Sequence, residues 1–146
     1  MQFQKDIKVN GVDLRLKKLD AFEQYEMMDI LYPVAVEVIS TTTANIAKMQ
    51  DMQFIGFVAV QMLKVLPSDM RRNLIFNHLL SDRGVKLLVN GTEMPLIGKA
   101  DNGQRVIMNQ NLSDIADLLE VAAESFKFNF ERFFEKLLQL KAQKLK

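Results

Sequence analysis

The side chains that most often carry chemistry are few in this sequence, and their spacing does not build a reaction centre. His78 is the one histidine, with Asn77 beside it and Asp82 four residues further on. A zinc site needs several nitrogen or sulfur ligands at set spacing, and the chain has no cysteine. The sequence therefore predicts no metal, no cofactor and no thiol chemistry, and a structural or solvated role for the histidine.

The hydroxyl and carboxylate side chains also show no pattern typical of a catalytic site. Ser68, Ser81 and Ser113 stand where helices are expected to begin or end, so capping explains them better than nucleophilic catalysis. The carboxylates are spread over polar faces and do not form an obvious pair for acid–base work. The six glycines are scattered and make no phosphate-binding loop. The pattern favours a protein that is not an enzyme.

Charge and hydropathy further narrow the classes of protein to which this chain could belong. With a net charge of +1 over 146 residues, the chain lacks the overall basic excess of a nucleic-acid binder, although both ends are locally basic. The start of the chain is charged where a signal peptide would be apolar. The apolar stretch at 52–66 is shorter than the roughly 20 residues that span a membrane. We expect a cytoplasmic protein without a membrane partner, and we read that stretch as a buried helix.

Two Val-Asn-Gly turns, at 9–11 and 89–91, predict two β-hairpins. Apolar residues alternate on both sides of each turn, and Asn-Gly accepts the positive φ angles that a tight hairpin requires. A lone hairpin is marginal in water, so we expect the two to pair in one small antiparallel sheet.

Helical signals fill most of the remaining chain. Asp20 is predicted to cap a first helix that Pro33 ends or kinks. Residues 34–49 are ambiguous, with helix favoured and a break expected near 40–43. A further helix is predicted to start at Ser68, with Gly84 well placed to stop it.

The predicted fold class is therefore α+β: a mainly helical single domain with a small antiparallel sheet and a long C-terminal amphipathic helix. The expected parts of this single domain, 1–146, are an N-terminal hairpin at 2–18, a helical body at 20–82, a turn and hairpin insert at 84–110, and the C-terminal helix at 113–142, capped by Ser113.

The C-terminal helix carries an apolar stripe that we expect to be the main core contact. Its members are Ile115, Leu119, Ala122, Phe126, Phe130, Phe133, Leu137 and Leu140. Phe128 and Val121 project instead toward the side that carries the acidic residues. Two interpretations stay open: these two side chains contact a partner, or another element covers them.

Methionine is the next unusual feature of the composition. Eight methionines follow Met1, among them Met27, Met28, Met49 and Met52. Their flexible side chains suit surfaces that adapt to varied apolar partners, but they also fill gaps in cores.

The C-terminal pattern resembles a known family. Residues 117–137 read DLLEVAAESFKFNFERFFEKL, which is similar to the leucine-rich, then Asn-Phe, then Phe-Phe helix of the tail assembly chaperones of long-tailed bacteriophages. The residues that carry the likeness are Leu118, Leu119, Val121, Asn129, Phe130, Phe133 and Phe134.

The resemblance implies a chaperone that binds the tape measure protein, a long helical rod, and promotes assembly of the tail tube around it. A tail tube subunit is a second expected partner, and self-association stays open. The predicted partner-binding residues are Val121, Phe128, Asn129, Phe134 and Leu138. The alternatives are another phage structural, tail-completion or regulatory interaction protein, and, less favoured, a small nucleic-acid-binding protein.

Overall fold

The computed structural model describes residues 2–41 and 48–144. It has the predicted α+β architecture, with a small antiparallel sheet built from two hairpins. Two compact units make up the chain. Unit 1 comprises the residues up to Asp20 together with Arg72–Asn129, and unit 2 comprises Ala21–Arg71 together with the residues from Phe130 onward.

The sheet of unit 1 has four strands in the order β1-β2-β3-β4. Its strands are β1 (Gln4–Val9), β2 (Val12–Lys17), β3 (Val85–Val89) and β4 (Thr92–Pro95). Both predicted turns are confirmed, since Asn10 and Gly11 have φ angles of 48° and 76°, and Asn90 and Gly91 have 52° and 80°. The hairpins pair through β2 and β3, where Leu14 lies opposite Leu87.

One face of this sheet is apolar and is covered by helix α4 (Ile115–Asn129). The alternation along each strand puts every second side chain on that face. The buried members are Val9, Val12, Leu14, Leu16, Val85 and Leu87. The other face carries charged side chains, so the sheet has one face in the core and one face toward solvent.

Unit 1 also contains a second, two-stranded sheet and two short helical segments. The strands β5 (Ile97–Lys99) and β6 (Arg105–Ile107) pair antiparallel. A π-helical segment spans Asn73–Leu79, and a 3-10 turn spans Gln110–Leu112. The side chain of Asn10 donates to the carbonyl of Asn111 at 2.9 Å, which ties the first hairpin to this turn.

Unit 2 is helical. Its elements are α1 (Ala21–Thr41), α2 (Asp51–Val65), α3 (Ser68–Arg72), whose last residue belongs to unit 1, and α5 (Glu131–Lys144). Helices α1, α2 and α5 pack on one another. The buried apolar side chains of α1 and α2 recur at helical spacing: Met27, Leu31, Ala35, Val38, Phe54, Val58 and Met62.

The first helix does not end at its proline. Helix α1 begins directly after Asp20, as expected, and continues through Pro33 to Thr41, so of the two predicted effects of the proline only a kink stays a prediction. The favoured helix at the start of 34–49 is confirmed up to Thr41, while residues 42 and 43 of the break predicted near 40–43 lie outside the described residues. No helix in the described parts of the chain is both long and apolar enough to cross a membrane.

The C-terminal helix is interrupted, and its cap is one residue later than predicted. Helix α4 ends at Asn129 and α5 begins at Glu131, so the single helix expected at 113–142 is two helices with a turn at Phe130. The Asp114 carboxylate accepts from the backbone N–H of Ala116 at 2.8 Å. Asp114, not Ser113, therefore caps α4, because an N-cap side chain satisfies a donor that has no partner within the helix.

Candidate functional site

The buried face of α4 is rotated away from the predicted apolar stripe, with which it shares Ala122. The face packed in unit 1 consists of Leu118, Val121, Ala122, Ser125, Phe128 and Asn129. Ile115 and Leu119, which begin the predicted core stripe, are 59% and 44% exposed. Phe128 and Val121 are buried, because the sheet and its neighbouring segments cover this side of α4. This agrees with the second of the two interpretations.

Phe128 is held by a cation as well as by packing. The Lys18 ammonium lies 4.3 Å from the centroid of the Phe128 ring, within range of a cation–π contact. The same ammonium donates to the Phe128 carbonyl. That carbonyl belongs to the last turn of α4, whose carbonyls have no partner within the helix. Lys18 thus satisfies the helix end and complements its negative pole.

Asn129 is a buried hydrogen-bonding residue at the point where the chain leaves unit 1. Its Oδ1 accepts from the backbone N–H of Leu19 at 2.7 Å. Its Nδ2 donates to the carbonyls of Lys17 and Ser125 at 3.2 and 3.0 Å. The end of β2 is therefore fixed to the end of α4, immediately before both chain exits of unit 1.

Ser125 completes this buried polar cluster. It has no exposed surface, and its hydroxyl donates to the Leu79 carbonyl at 3.1 Å. This hydrogen bond from α4 satisfies the carbonyl of the last residue of the π-helical segment.

The other two predicted partner-binding residues lie on α5. Leu138 is half-buried, and the side chain of Phe134 lies outside the described part of the structure. Their role as partner contacts stays a prediction. The same holds for Val121, Phe128 and Asn129, which would have to leave the core of unit 1 to meet a partner. The predicted core positions Phe130 and Phe133 are buried.

Several large apolar side chains do lie at the surface, and most were not predicted as candidates. The most exposed are Phe22, Met52, Tyr25, Phe3, Ile115 and Val65. Phe22 and Tyr25 stand out because they are neighbours on one helix face, at 84% and 71% exposure. Phe22 and Tyr25 are three residues apart, which is helical spacing, but spacing alone does not say which side of a helix another element covers.

The solvent face of the sheet carries an ion-pair network. Arg15 donates to the Asp6 carboxylate at 2.8 Å, and the Lys17 ammonium lies 2.7 Å from a Glu93 oxygen. These partners lower the pKa of Asp6 through the hydrogen bond from Arg15 and the pKa of Glu93 through that from Lys17. Favourable pairing of opposite charges explains both directions.

The histidine and the acidic residues form no recognisable reaction centre in the described residues. The Nε2 atom of His78 lies 3.4 Å from the side-chain nitrogen of Asn73. Within residues 2–41 and 48–144, no group of three or more histidine, cysteine, aspartate or glutamate side chains is placed to hold a metal ion.

Fold and surface together describe a small α+β protein whose polar clusters stabilise structure and whose exposed apolar side chains are its distinctive surface feature. The family model of the phage tail assembly chaperone protein, TAC, matches residues 10–142. The chain therefore belongs to the family of phage tail assembly chaperones. No curated protein and no solved structure gives a significant match.

Proposed function

We propose that this chaperone binds the tape measure protein in the cytoplasm of the host cell and promotes assembly of the tail tube, without catalysing a reaction. The observation that carries the proposal is the family match over residues 10–142. The surface supports it, because exposed aromatic and aliphatic side chains such as Phe22, Tyr25 and Met52 suit a partner that has apolar stripes of its own.

A long helical rod gives a physical reason for such a protein. Its apolar stripes aggregate unless a second polypeptide covers them. Each chaperone copy needs only modest affinity, because many copies on one rod gain from multivalency. The tail tube subunit is a second proposed partner, recruited while the tape measure protein is held soluble.

Co-expression tests this function directly. The tape measure protein is produced alone, with this chain, and with an unrelated small α+β protein at a matched level. We expect this chain, and not the control, to move the tape measure protein to the soluble fraction and to co-purify with it. A tape measure protein that stays insoluble and unbound in the presence of this chain would remove the proposal.

Mass spectrometry of purified virions separates a chaperone from a structural tail protein. We expect the tape measure protein and tube subunits in the particles and this chain absent from them. Detection of this chain at a stoichiometry comparable with that of a tube or completion subunit would favour the structural alternative.

A further inference from the structure

The exposed face of α1 combines aromatic side chains with carboxylates. Phe22 and Tyr25 are 84% and 71% exposed. Glu26 and Asp29 are also exposed, and each follows one of these aromatic residues by four positions. Side chains three or four residues apart on a helix lie on one face. The four side chains therefore form a single surface, the α1 face, on the side away from buried Met27 and Leu31.

The charge of this helix has one sign only. Residues 20–40 contain five carboxylates and neither lysine nor arginine, although the whole chain has a net charge of +1. Acidic character along one helix selects cations in a partner. The α1 face thus offers apolar area in rings and negative charge beside them.

On another side of α1, an aromatic side chain contacts α5 of the same unit. Tyr32 meets the ring of Phe133 from α5 edge-to-face, with 6.4 Å between the centroids. The Lys136 ammonium of α5 lies 5.9 Å from the centroid of the Tyr32 ring. Phe133 and Lys136 are three residues apart, on one side of α5. A phenylalanine with a lysine beside it is therefore a pair that α1 contacts within unit 2.

We propose that the α1 face, formed by Phe22, Tyr25, Glu26 and Asp29, binds an amphipathic helical segment whose apolar stripe is flanked by lysine or arginine. This inference rests on the proposed function and names the kind of segment that the tape measure protein presents. The two rings supply the apolar anchor, as aromatic residues do at binding hot spots. The two carboxylates select cationic flanks and set the salt dependence.

The test uses overlapping peptides that span the tape measure protein, with binding to the full chain followed by fluorescence anisotropy. We expect the peptides that bind to have apolar residues at helical spacing and a net positive charge. Phe22→Ser/Tyr25→Ser should weaken their binding by about tenfold or more. Glu26→Gln/Asp29→Asn should weaken it by about three- to tenfold and reduce its sensitivity to added salt.

Two matched controls separate this face from general effects. Val65→Ser removes another exposed apolar side chain of unit 2, and Asp101→Asn/Glu120→Gln removes two exposed carboxylates elsewhere. Both are expected to bind as the parent does. Circular dichroism and thermal melting of all variants should match the parent, because none of the altered side chains is buried.

A charge swap gives the sharpest result. Replacing the flanking lysines of the best peptide with glutamate should abolish binding to the parent chain. Binding of that altered peptide should return with Glu26→Lys/Asp29→Lys. Failure of any peptide, and of the intact tape measure protein, to bind the parent chain would overturn the proposed function itself.

Peptides that bind the parent chain and the α1-face variants equally well would overturn this inference and leave the proposed function in place. A parent chain that is dimeric in light scattering and becomes monomeric in Phe22→Ser/Tyr25→Ser, with peptide binding unchanged, would assign the face to a second copy and likewise overturn it.

Discussion

Asn129 uses its side chain to join two backbone segments that would otherwise leave buried polar groups without partners. It accepts from Leu19 and donates to Lys17 and Ser125. A buried donor or acceptor without a partner destabilises a fold by about 1–3 kcal/mol. The Asn-Phe element of the family resemblance thus has a structural explanation at its first residue.

Asn129→Ala is accordingly expected to lower the free energy of unfolding by about 1–3 kcal/mol, measured by chemical denaturation. Asn111→Ala, which truncates an exposed asparagine, is the control and should change little. Asn129→Asp keeps the acceptor for Leu19 but faces two carbonyls with a buried carboxylate. Its stability should recover at low pH, where the protonated acid can donate; a loss independent of pH would contradict the donor role.

Phe128 and Ile115 exchange their predicted roles, and a pair of truncations tests this. Phe128→Ala is expected to lower stability by about 3–5 kcal/mol, as for other buried aromatic residues. Ile115→Ala, on the exposed face of α4, should stay within about 0.5 kcal/mol of the parent. Thermal melts with the reverse order would restore the original assignment of the two faces.

At the scale of elements, the hairpins were predictable and the faces of α4 were not. Asn-Gly turns are determined locally, because φ angles of 48° to 80° at four residues need only those residue types. The face that a helix buries depends on which other element meets it. Helix α4 has apolar residues on both candidate faces, so periodicity alone could not choose between Val121 and Leu119.

The break between α4 and α5 at Phe130 also could not be predicted from the local sequence pattern. The sequence on both sides is helical, and helix propensity changes only slightly at Asn129. Long-range partners fix the end of α4, namely Lys18 at the Phe128 carbonyl and Leu19 at the Asn129 side chain. They come from the connection after β2, more than a hundred residues earlier.

Glycine is required at position 84 because the backbone just before β3 passes close to the π-helical segment. A Cβ atom there would lie 2.7 Å from the Leu79 carbonyl oxygen and 2.8 Å from that of His78. Both are backbone atoms, so Gly84→Ala must shift the π-helical segment and is expected to lower stability by about 1–3 kcal/mol. Gly98→Ala is the matched control, because its nearest atom, at 2.6 Å, is the Met108 sulfur of a flexible side chain. Equal melting temperatures for the two variants would contradict the explanation.

The ion pairs on the charged face of the sheet predict that the free energy of unfolding falls at acid pH. The pKa values of Asp6 and Glu93 are lowered in the folded chain by Arg15 and Lys17. Each carboxylate therefore contributes stability above its unfolded pKa of about 4, and this contribution is lost as the pH falls through the folded value. Glu93→Gln should be less stable than the parent at neutral pH and equal to it in strong acid. A difference that persists in strong acid would show that packing, not charge, is responsible.

For the whole molecule, stability and partner binding are assigned to different residues. The polar cluster of Asn129 and Ser125 stabilises unit 1, whereas Phe22 and Tyr25 are exposed on unit 2 and contribute little to its core. The side chains of Asn129 and Ser125 are thus used for structure, and the function proposed for this chain rests on apolar surface.

This division predicts that stability and binding can be changed separately. Phe22→Ser/Tyr25→Ser should melt with the parent yet fail to solubilise the co-expressed tape measure protein. Ser125→Ala, which leaves the Leu79 carbonyl without its donor, should melt earlier. At a temperature where it is fully folded, it should bind tape measure peptides with the parent dissociation constant. Because an exposed ring leaves water only when a partner arrives, its truncation affects the complex and not the free chain. Proportional loss of stability and binding in both variants would show that one set of residues serves both purposes.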